Sequence, residues 1–218
     1  MIFSEKTLNV LKNFSSINPG ILFRPGDVIR SVSPTKTVLA TAKVDNSFDK
    51  EFAIYDLSRF LSAVSLFDKP EVTLSDNHLT ISSDKSKLKY VYADAAAIVS
   101  APKSDVVFPN TEVSFTLTSS DLASILRAGA VLQLPEIAIS GDGTDIVVSA
   151  TSVKNPTVDD FSITVGSTDK TFKAIIRTEN LKLIQQDYTI SISSKGISKF
   201  EGNDLTYLIA LEKESSFS

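Results

Sequence analysis

Hydrophobic residues in this chain follow two periods, one typical of helices and one typical of strands. Four segments place apolar residues three and four positions apart, which is the spacing of one face of an amphipathic helix. The predicted helices cover Ser4–Ile17, Asp56–Leu66, Ser119–Leu132 and Glu179–Gln186. An acidic residue lies in or just before the first turn of each, where the helix dipole favours negative charge.

Elsewhere apolar and polar residues alternate in short runs separated by turn-forming residues, which predicts β-strands. The predicted strands are Gly20–Arg24, Val28–Val32, Val38–Val44, Glu51–Tyr55, Val72–Leu74, Leu79–Ser82, Leu88–Tyr92, Val113–Leu117, Glu136–Ser140, Asp145–Ala150, Phe161–Val165, Phe172–Ile176, Thr189–Ser193, Ile197–Phe200 and Thr206–Leu211. Tight turns such as Pro25-Gly26-Asp27 favour antiparallel pairing. We therefore expect an α+β fold of antiparallel sheets with helices on one face, and a frayed tail over Glu212–Ser218.

The two halves of the chain carry similar patterns. The apolar residues Leu8, Leu11, Phe14 and Ile17 are repeated 114 residues later as Leu122, Ile125, Ala128 and Val131. Each set follows a Ser/Thr-rich start and precedes a long β-rich stretch, although chance similarity between amphipathic helices could produce the same match. We interpret the pattern as a duplication, with two similar domains over residues 1–104 and 113–218, each with two helices. The connector, residues 105–112, contains Pro109.

Composition excludes several classes of protein. The 218 residues are 42% hydrophobic and contain no cysteine, so disulfide frameworks, thiol nucleophiles and cysteine-ligated metals are not available. No apolar run is long enough to cross a membrane, and the first residues lack the pattern of a signal peptide. The net charge of -4 does not suggest a nucleic-acid-binding protein unless basic groups gather on one surface.

Candidate catalytic or metal-binding groups are few. His78 is the only histidine and follows a predicted turn, with no partner suggested for acid–base work. Asp159 and Asp160 are adjacent, so in a strand they point to opposite faces, and we interpret them as the start of a strand. The segment Gly141–Asp145 resembles a calcium loop but lacks the downstream glutamate, which favours a hairpin turn. We expect no enzyme activity; an enzyme that uses carboxylates alone is the weakest alternative.

The polar faces of the predicted helices share one property. Beyond the first turn, their outward charges are all basic: Lys12, Arg59, Arg127 and Lys182. An ordinary solvated face remains an alternative, but such faces mix charges of both signs.

The chain resembles the DNA polymerase sliding clamps of T-even-type bacteriophages, from its first helix to its last strand. The residues that carry the resemblance are Leu11-Lys12-Asn13-Phe14, Ile17-Asn18, Gly20-Ile21, Ala53-Ile54-Tyr55-Asp56-Leu57, Phe60-Leu61, Ser65-Leu66, Leu126-Arg127, Leu132-Gln133, Ile137-Ala138-Ile139, Lys199-Phe200-Glu201-Gly202, Tyr207 and Ala210-Leu211-Glu212. The connector and the loop around Ser33–Thr37 depart from the family pattern.

The resemblance implies the DNA clamp fold and a head-to-tail homotrimeric ring around double-stranded DNA, with helices lining the hole. It implies contact with DNA by Lys12, Arg59, Arg127 and Lys182, with Lys6 as a further member at the helix margin. It also implies closure of the ring through two edge strands, whose candidate residues are Leu88, Tyr90, Tyr92, Phe161, Ile163 and Val165. A partner peptide would bind near Val107, Phe108 and Leu208. Ordinary intrasubunit edges and ordinary packing are the alternatives for these last two sets.

The implied partners are a replicative DNA polymerase and an ATP-driven clamp loader, with transcription factors as a further possibility. The resemblance implies no cofactor, no metal and no membrane, and it places the protein in the cytoplasm of an infected bacterial host. A non-catalytic, oligomeric phage structural or adhesion protein is the main alternative.

Overall fold

The computed structural model describes residues 1–155 and 157–218 and divides into two compact units, Met1–Asp105 and Val106–Ser218. Residues 105–112, predicted to be a connector, form no helix or strand. Within the described residues, no helix combines the length and apolar character that crossing a membrane requires.

The first unit contains two helices and seven strands. They are α1 (Glu5–Ile17), β1 (Ile21–Phe23), β2 (Gly26–Val32), β3 (Val38–Phe48), β4 (Phe52–Ile54), α2 (Leu57–Val64), β5 (Glu71–Leu74), β6 (His78–Ser83) and β7 (Ser86–Val91). β1 pairs with β4, β2 with β3, and β5, β6 and β7 form a three-stranded sheet, all antiparallel.

Helix α1 begins at a capping residue and buries one apolar face. Its N-cap, Ser4, accepts a hydrogen bond from the Thr7 N–H, which satisfies a backbone group that has no partner within the helix. The predicted apolar face is confirmed: Val10, Leu11 and Phe14 are buried.

The second unit contains one helix and nine strands among its described residues. They are β8 (Val113–Leu117), α3 (Ser119–Val131), β9 (Glu136–Asp142), β10 (Asp145–Thr151), β11 (Phe161–Ser167), β12 (Thr171–Arg177), β13 (Tyr188–Ser193), β14 (Ile197–Gly202), β15 (Leu205–Ala210) and β16 (Ser216–Phe217). Its antiparallel strands follow the orders β11-β10-β9-β12-β16 and β8-β13-β14-β15. Every strand predicted from the alternation is therefore present.

The order of elements repeats between the units. The series α1-β1-β2-β3-β4 corresponds to α3-β9-β10-β11-β12, and β5-β6-β7 corresponds to β13-β14-β15. The pairings β1–β4 and β2–β3 recur as β9–β12 and β10–β11. This repetition supports the predicted duplication.

The match of individual positions is weaker. Val131 is 74% exposed although its predicted counterpart, Ile17, is 5% exposed. Helix α3 instead buries Leu122, Ile125 and Gly129. The predicted match between Ile17 and Val131 is therefore wrong. Val131 does not belong to the buried face of α3.

The prediction of a fourth helix over Glu179–Gln186 is wrong. Thr178–Asn180 form a single 3-10 turn, and residues 181–187 are irregular until β13 begins. The backbone groups of Ile184 are already engaged, because its N–H donates to the Tyr207 hydroxyl and its carbonyl accepts from the Tyr188 hydroxyl. The second unit therefore has one α-helix rather than two.

The C-terminal segment is not frayed as predicted. β16 pairs with β12, and the Ile175 N–H donates to Ser215 Oγ at 3.0 Å. The Ser218 N–H donates to the Thr171 carbonyl. These bonds hold the segment against the edge of the sheet.

Candidate DNA-facing helices and sheet edges

Helices α1 and α2 form a groove on the first unit that carries one of the predicted DNA-facing cations. Lys12 is exposed on α1 and lines this groove, whose volume is about 740 Å³. Arg59 is exposed on α2 and follows the N-cap Asp56, whose carboxylate accepts from the Arg59 N–H. Lys69, which is not among the predicted DNA-facing residues, lines the same groove as Lys12. In the sequence, Lys69 is a single lysine shortly after the predicted helix Asp56–Leu66, and no pattern there indicates a role.

Serines on the outer helix faces direct their hydroxyls back to their own helices. The donors are Ser15 to the Lys12 carbonyl, Ser16 to Asn13, Ser62 to Ser58, Ser65 to Ser62, and Ser124 to Ser120, over 2.6–2.9 Å. Because each hydroxyl has one hydrogen, that hydrogen is already used. The exposed helix faces are therefore rich in serine but poor in unused hydroxyl hydrogens.

Lys6 lies beside an acidic side chain. Its ammonium lies 3.6 Å from Asp45 Oδ1, and both side chains are partly exposed. An exposed ion pair of this kind is weak and exchangeable. Lys6 therefore carries less net positive charge into its surroundings than an exposed lysine without a neighbouring acid would.

The second unit places Arg127 on α3 and Lys182 in the irregular segment after the 3-10 turn, both exposed. This segment contacts the first residue of α3, since the Gln185 amide donates to the Ser119 carbonyl and hydroxyl. The Ser119 N–H in turn donates to Asp187 at 2.7 Å. The structure thus ties the chain around Lys182 to the helix that carries Arg127.

β7 is the last strand of the sheet β5-β6-β7, at the position predicted for an interface edge. Tyr90 packs edge to face on Phe60, with centroids 5.3 Å apart, and Tyr92 stacks on Phe52 at 5.0 Å. Burial raises the pKa of Tyr90, partly offset by the positive charge of Arg59. Leu88 is half-buried, so the three predicted side chains face their own unit, and Tyr92 lies one residue beyond the strand.

The opposite face of β7 carries basic residues that the sequence predictions do not include. Lys87 and Lys89 are exposed there, and the alternation Lys-Leu-Lys-Tyr was the available signal.

β11 is the last strand of its sheet on the side of β10. Phe161 is exposed, and Ile163 and Val165 are half-buried. Phe161 and Ile163 lie opposite the buried residues Ala150 and Val148, so they occupy the face of the sheet that packs on α3. Both predicted edges therefore exist as sheet edges in this chain.

The three residues predicted to bind a partner peptide are only partly brought together. The Lys199 ammonium lies 5.7 Å from the centroid of the Phe108 ring, and Lys199 is directly opposite Leu208 in the β14–β15 ladder. Phe108 and Leu208 therefore neighbour the same side chain. Val107 is strongly exposed.

The acidic and histidine candidates have ordinary structural positions. His78 Nδ1 lies 2.8 Å from Asn77 Oδ1 at the surface. Asp142 Oδ1 accepts from the N–H groups of Thr144 and Asp145, which lowers the pKa of Asp142 and forms the predicted hairpin turn. Asp159 and Asp160 are exposed immediately before β11. Over residues 1–155 and 157–218, no three His, Asp or Glu residues are grouped closely enough to hold a metal ion.

Both halves of the chain match known family profiles. Residues 4–100 match the family described as DNA polymerase processivity factor, and residues 114–213 match the family described as gp45 sliding clamp, C terminal. The chain is similar to the sliding clamp of Vibrio phage KVP40, with 37% identity over 97% of this chain and 99% of that protein. The sliding clamp of Enterobacteria phage T4 is 32% identical over 99% of both chains.

Solved structures with low sequence identity share the fold. The A. fulgidus PCNA, solved with the C-terminal region of FEN-1, superimposes with a TM-score of 0.71 at 14% identity, over 99% of this chain and 98% of that one. The DNA polymerase III subunit beta from Pseudomonas aeruginosa gives a TM-score of 0.67 at 11% identity, over 95% of this chain and 62% of that chain. With near-complete relatives above 30% identity and both halves matched, the chain belongs to the phage sliding clamp family of DNA polymerase processivity factors.

Proposed function

We propose that this protein is a phage sliding clamp that encircles duplex DNA and tethers the replicative DNA polymerase to its template. The observation that carries the proposal is the full-length similarity to the sliding clamps of phages KVP40 and T4, at 37% and 32% identity. A polymerase bound to a closed ring stays near the primer end because leaving requires the ring to open. Its effective concentration there rises accordingly.

We propose that three copies assemble head to tail, with the β7 edge of one copy pairing with the β11 edge of the next. The presence of an open strand edge on each unit supports this arrangement. Two different edges on one chain form a heterologous contact, which closes into a ring when the rotation permits. We assign two domains, residues 1–104 and 113–218, joined by a connector at 105–112, and a division of the chain near Asp105 supports this assignment.

The exposed cations would face the DNA. We assign this role to Lys12, Arg59, Arg127 and Lys182, and a smaller part to Lys6 because it neighbours Asp45. Contacts with phosphates carry no sequence information, so cations of this kind hold the duplex without fixing a position on it. An acidic exterior with a basic lining would also explain how a chain of net charge -4 surrounds a polyanion.

Partner proteins would bind by inserting an apolar peptide near Phe108, Val107 and Leu208. The half-buried ring of Phe108 beside Lys199 supports this assignment. The similar A. fulgidus PCNA was solved bound to a segment of another protein, the C-terminal region of FEN-1. The polymerase, an ATP-driven clamp loader and transcription factors are the partners that we propose.

The protein would perform no chemistry itself and would work in the cytoplasm of the infected bacterial host. Its contribution is topological, and the energy for opening the ring would come from the loader.

The test combines mass and DNA retention. Sedimentation should give a trimer, and protein loaded onto nicked circular DNA should remain bound, but it should leave the same DNA after linearisation. Blocking the linear ends with a bulky protein should restore retention. A monomer, a fibre, or equal loss from circular and linear DNA would contradict the proposal.

A further inference from the structure

We propose that Phe161 of one copy enters a tyrosine-lined pocket at the end of β7 in the next copy, and that this contact fixes the register of the two strands. In this register Phe161 lies opposite Tyr90 and Asp160 lies diagonal to Lys89. The inference rests on the ring proposed above and adds the residues that would hold it closed.

The pocket lies at the C-terminal end of β7 and has a volume of about 370 Å³. Tyr55, Tyr90 and Tyr92 supply its aromatic wall. Its charged residues are Arg59 and Lys89, which are basic, and Asp56, which is acidic. Tyr55 is 66% exposed and Val91, on the same rim, is 64% exposed. Large apolar surfaces of this kind, grouped around a concavity beside a strand edge, are typical of interaction sites.

The backbone determines how far an added strand can extend along β7. The Tyr92 N–H donates to the Asn77 carbonyl, on the side of β6. Because successive residues of a strand alternate, the backbone groups of Val91, Lys89 and Lys87 point to the open side. At Ala93 that side is already occupied, since the Ala93 N–H donates to the Ala53 carbonyl. An added strand can therefore pair up to Val91 but not at Ala93.

Phe161 is well placed to reach the pocket. It is the first residue of β11 and is 38% exposed, which is unusual for phenylalanine in a strand. In an antiparallel pair, the start of one strand meets the end of the other, so Phe161 comes to the end of β7. The strand pairings within each unit are antiparallel.

The faces of the two sheets select which residues lie opposite one another. Tyr90 and Leu88 pair with the buried residues Leu79 and Ile81 of β6, so they lie on the buried face of their sheet. Phe161 and Ile163 lie on the buried face of theirs. Continuing one sheet into the other therefore places Phe161 opposite Tyr90 and Ile163 opposite Leu88, an aromatic pair followed by an aliphatic pair.

A shift of two residues is disfavoured in either direction. Moving β11 so that Phe161 lies opposite Tyr92 would bring Asp160 to Ala93, where Ala53 already occupies the edge. Moving it the other way would withdraw Phe161 from the tyrosines of the pocket.

Charge supports the same register. Lys85, Lys87 and Lys89 make one side of β7 strongly basic, whereas Asp159 and Asp160 precede β11. With Phe161 opposite Tyr90, Asp160 faces Val91 and reaches Lys89 diagonally, within the range of long side chains. Pairing of two β7 edges would instead oppose lysine to lysine, which disfavours a symmetric dimer.

Disulfide trapping tests this register, because the chain has no cysteine of its own. Lys89→Cys combined with Ser162→Cys places two exposed residues directly opposite in the proposed register. The matched control, Lys89→Cys with Thr164→Cys, tests the register shifted by two, and Thr164 is also exposed. A shift of two residues moves the partner by roughly 7 Å, beyond the reach of a disulfide.

We expect mild oxidation to give covalent trimers with the Lys89→Cys, Ser162→Cys variant. The Lys89→Cys, Thr164→Cys variant should give none. Phe161→Ala should raise the dissociation constant of the trimer at least about tenfold, as expected for a central aromatic anchor. Trimers that cross-link only through Thr164, or a Phe161→Ala variant with unchanged affinity, would overturn the inference while leaving the ring intact. If the unaltered protein does not form a trimer, the proposed ring itself is wrong. Covalent dimers of the single variant Lys89→Cys would indicate a symmetric contact between two β7 edges. They would contradict both the proposed ring and the proposed register.

Discussion

Tyr188 and Tyr207 meet at a single residue of the irregular segment in the second unit. The Tyr188 hydroxyl donates to the Ile184 carbonyl at 2.6 Å, and the Ile184 N–H donates to the Tyr207 hydroxyl at 3.1 Å. The two rings lie edge to face with centroids 6.1 Å apart. Together they hold the backbone of Ile184 in the segment that carries Lys182.

Removing the Tyr207 hydroxyl should destabilise the protein. In Tyr207→Phe the Ile184 N–H loses its acceptor in a half-buried position, which we expect to lower the free energy of unfolding by about 1–3 kcal/mol. Urea denaturation followed by circular dichroism measures this change. The control is Tyr55→Phe, which removes the same atom from an exposed side chain and should change stability by less than about 0.5 kcal/mol. Equal effects of the two substitutions would show that the Ile184 contact contributes nothing.

Tyr188 should make the protein sensitive to alkaline pH. Burial raises the pKa of Tyr188 to about 12. The folded state therefore holds this proton more tightly than the unfolded chain, in which the pKa is near 10. The stabilisation is complete below pH about 10 and is lost as the pH rises towards 12. The free energy of unfolding, measured from pH 9 to 12, should fall more steeply for the unaltered protein than for Tyr188→Phe, and parallel curves would contradict this assignment.

Reversing the four exposed cations should weaken retention on DNA without unfolding the protein. The variant carries glutamate in place of Lys12, Arg59, Arg127 and Lys182. Loading and processive synthesis should fall, and the dependence of DNA binding on salt should become shallower because fewer phosphates are neutralised. Sedimentation must first show that the variant still forms the same oligomer, because Arg59 also borders the pocket at β7.

The matched control for this variant reverses four exposed lysines that lie outside the helices: Lys36, Lys103, Lys154 and Lys213. It changes the net charge by the same amount. Equal losses of processivity in both variants would indicate a general charge effect and would contradict the assigned DNA-facing residues.

The Ser215 side chain should contribute to the stability of the protein although it lies near the C-terminus. Its hydroxyl accepts the Ile175 N–H, and Ile175 is buried in the central part of β12. Ser215→Ala leaves that N–H without its acceptor, so the free energy of unfolding should fall by about 1–3 kcal/mol. The neighbouring substitution Ser218→Ala is the control, since Ser218 uses its backbone N–H, which alanine retains. Thermal denaturation of the two variants distinguishes a fixed segment from a frayed one.

A charge exchange should weaken and then restore the contact between copies. Lys89→Glu places an acid near Asp160 of the next copy and should favour dissociation of the trimer several-fold at low salt. Adding Asp160→Lys restores opposite charges and should recover most of the affinity. Analytical ultracentrifugation at two salt concentrations measures both, and the difference should shrink at high salt through screening. Failure of the second substitution to rescue the first would argue against this pair.

Many of the strands were predictable because buried and less buried residues alternate along them. In β10, Ile146, Val148 and Ala150 are buried while their neighbours are not, and the sequence shows that period directly. Turn residues then marked the ends. Helices α1 and α2 were predictable for a similar reason, because their apolar faces are continuous and begin at Ser4 and Asp56, which act as N-caps.

The errors arose where distant contacts decide the local structure. Leu181 and Ile184 have helical spacing, but the hydroxyls of two tyrosines elsewhere in the unit take the backbone groups of Ile184. β16 has two residues and ordinary composition, so only its pairing with β12 reveals it. The pocket at β7 likewise depends on Tyr55 and Ala93 lying near the strand, which no local pattern records.

In the proposed ring, the serines that donate to their own helices would affect movement along DNA. A hydroxyl whose hydrogen is held by a carbonyl can accept from water but has no proton left to offer a phosphate oxygen. A duplex beside these helices would therefore contact water molecules and a few lysine and arginine side chains. The serine hydroxyls would not donate hydrogen bonds to its phosphates. Such a surface would favour no particular position on the duplex. The free-energy barrier to sliding by one step would then be low, and rearrangement of water would set most of it.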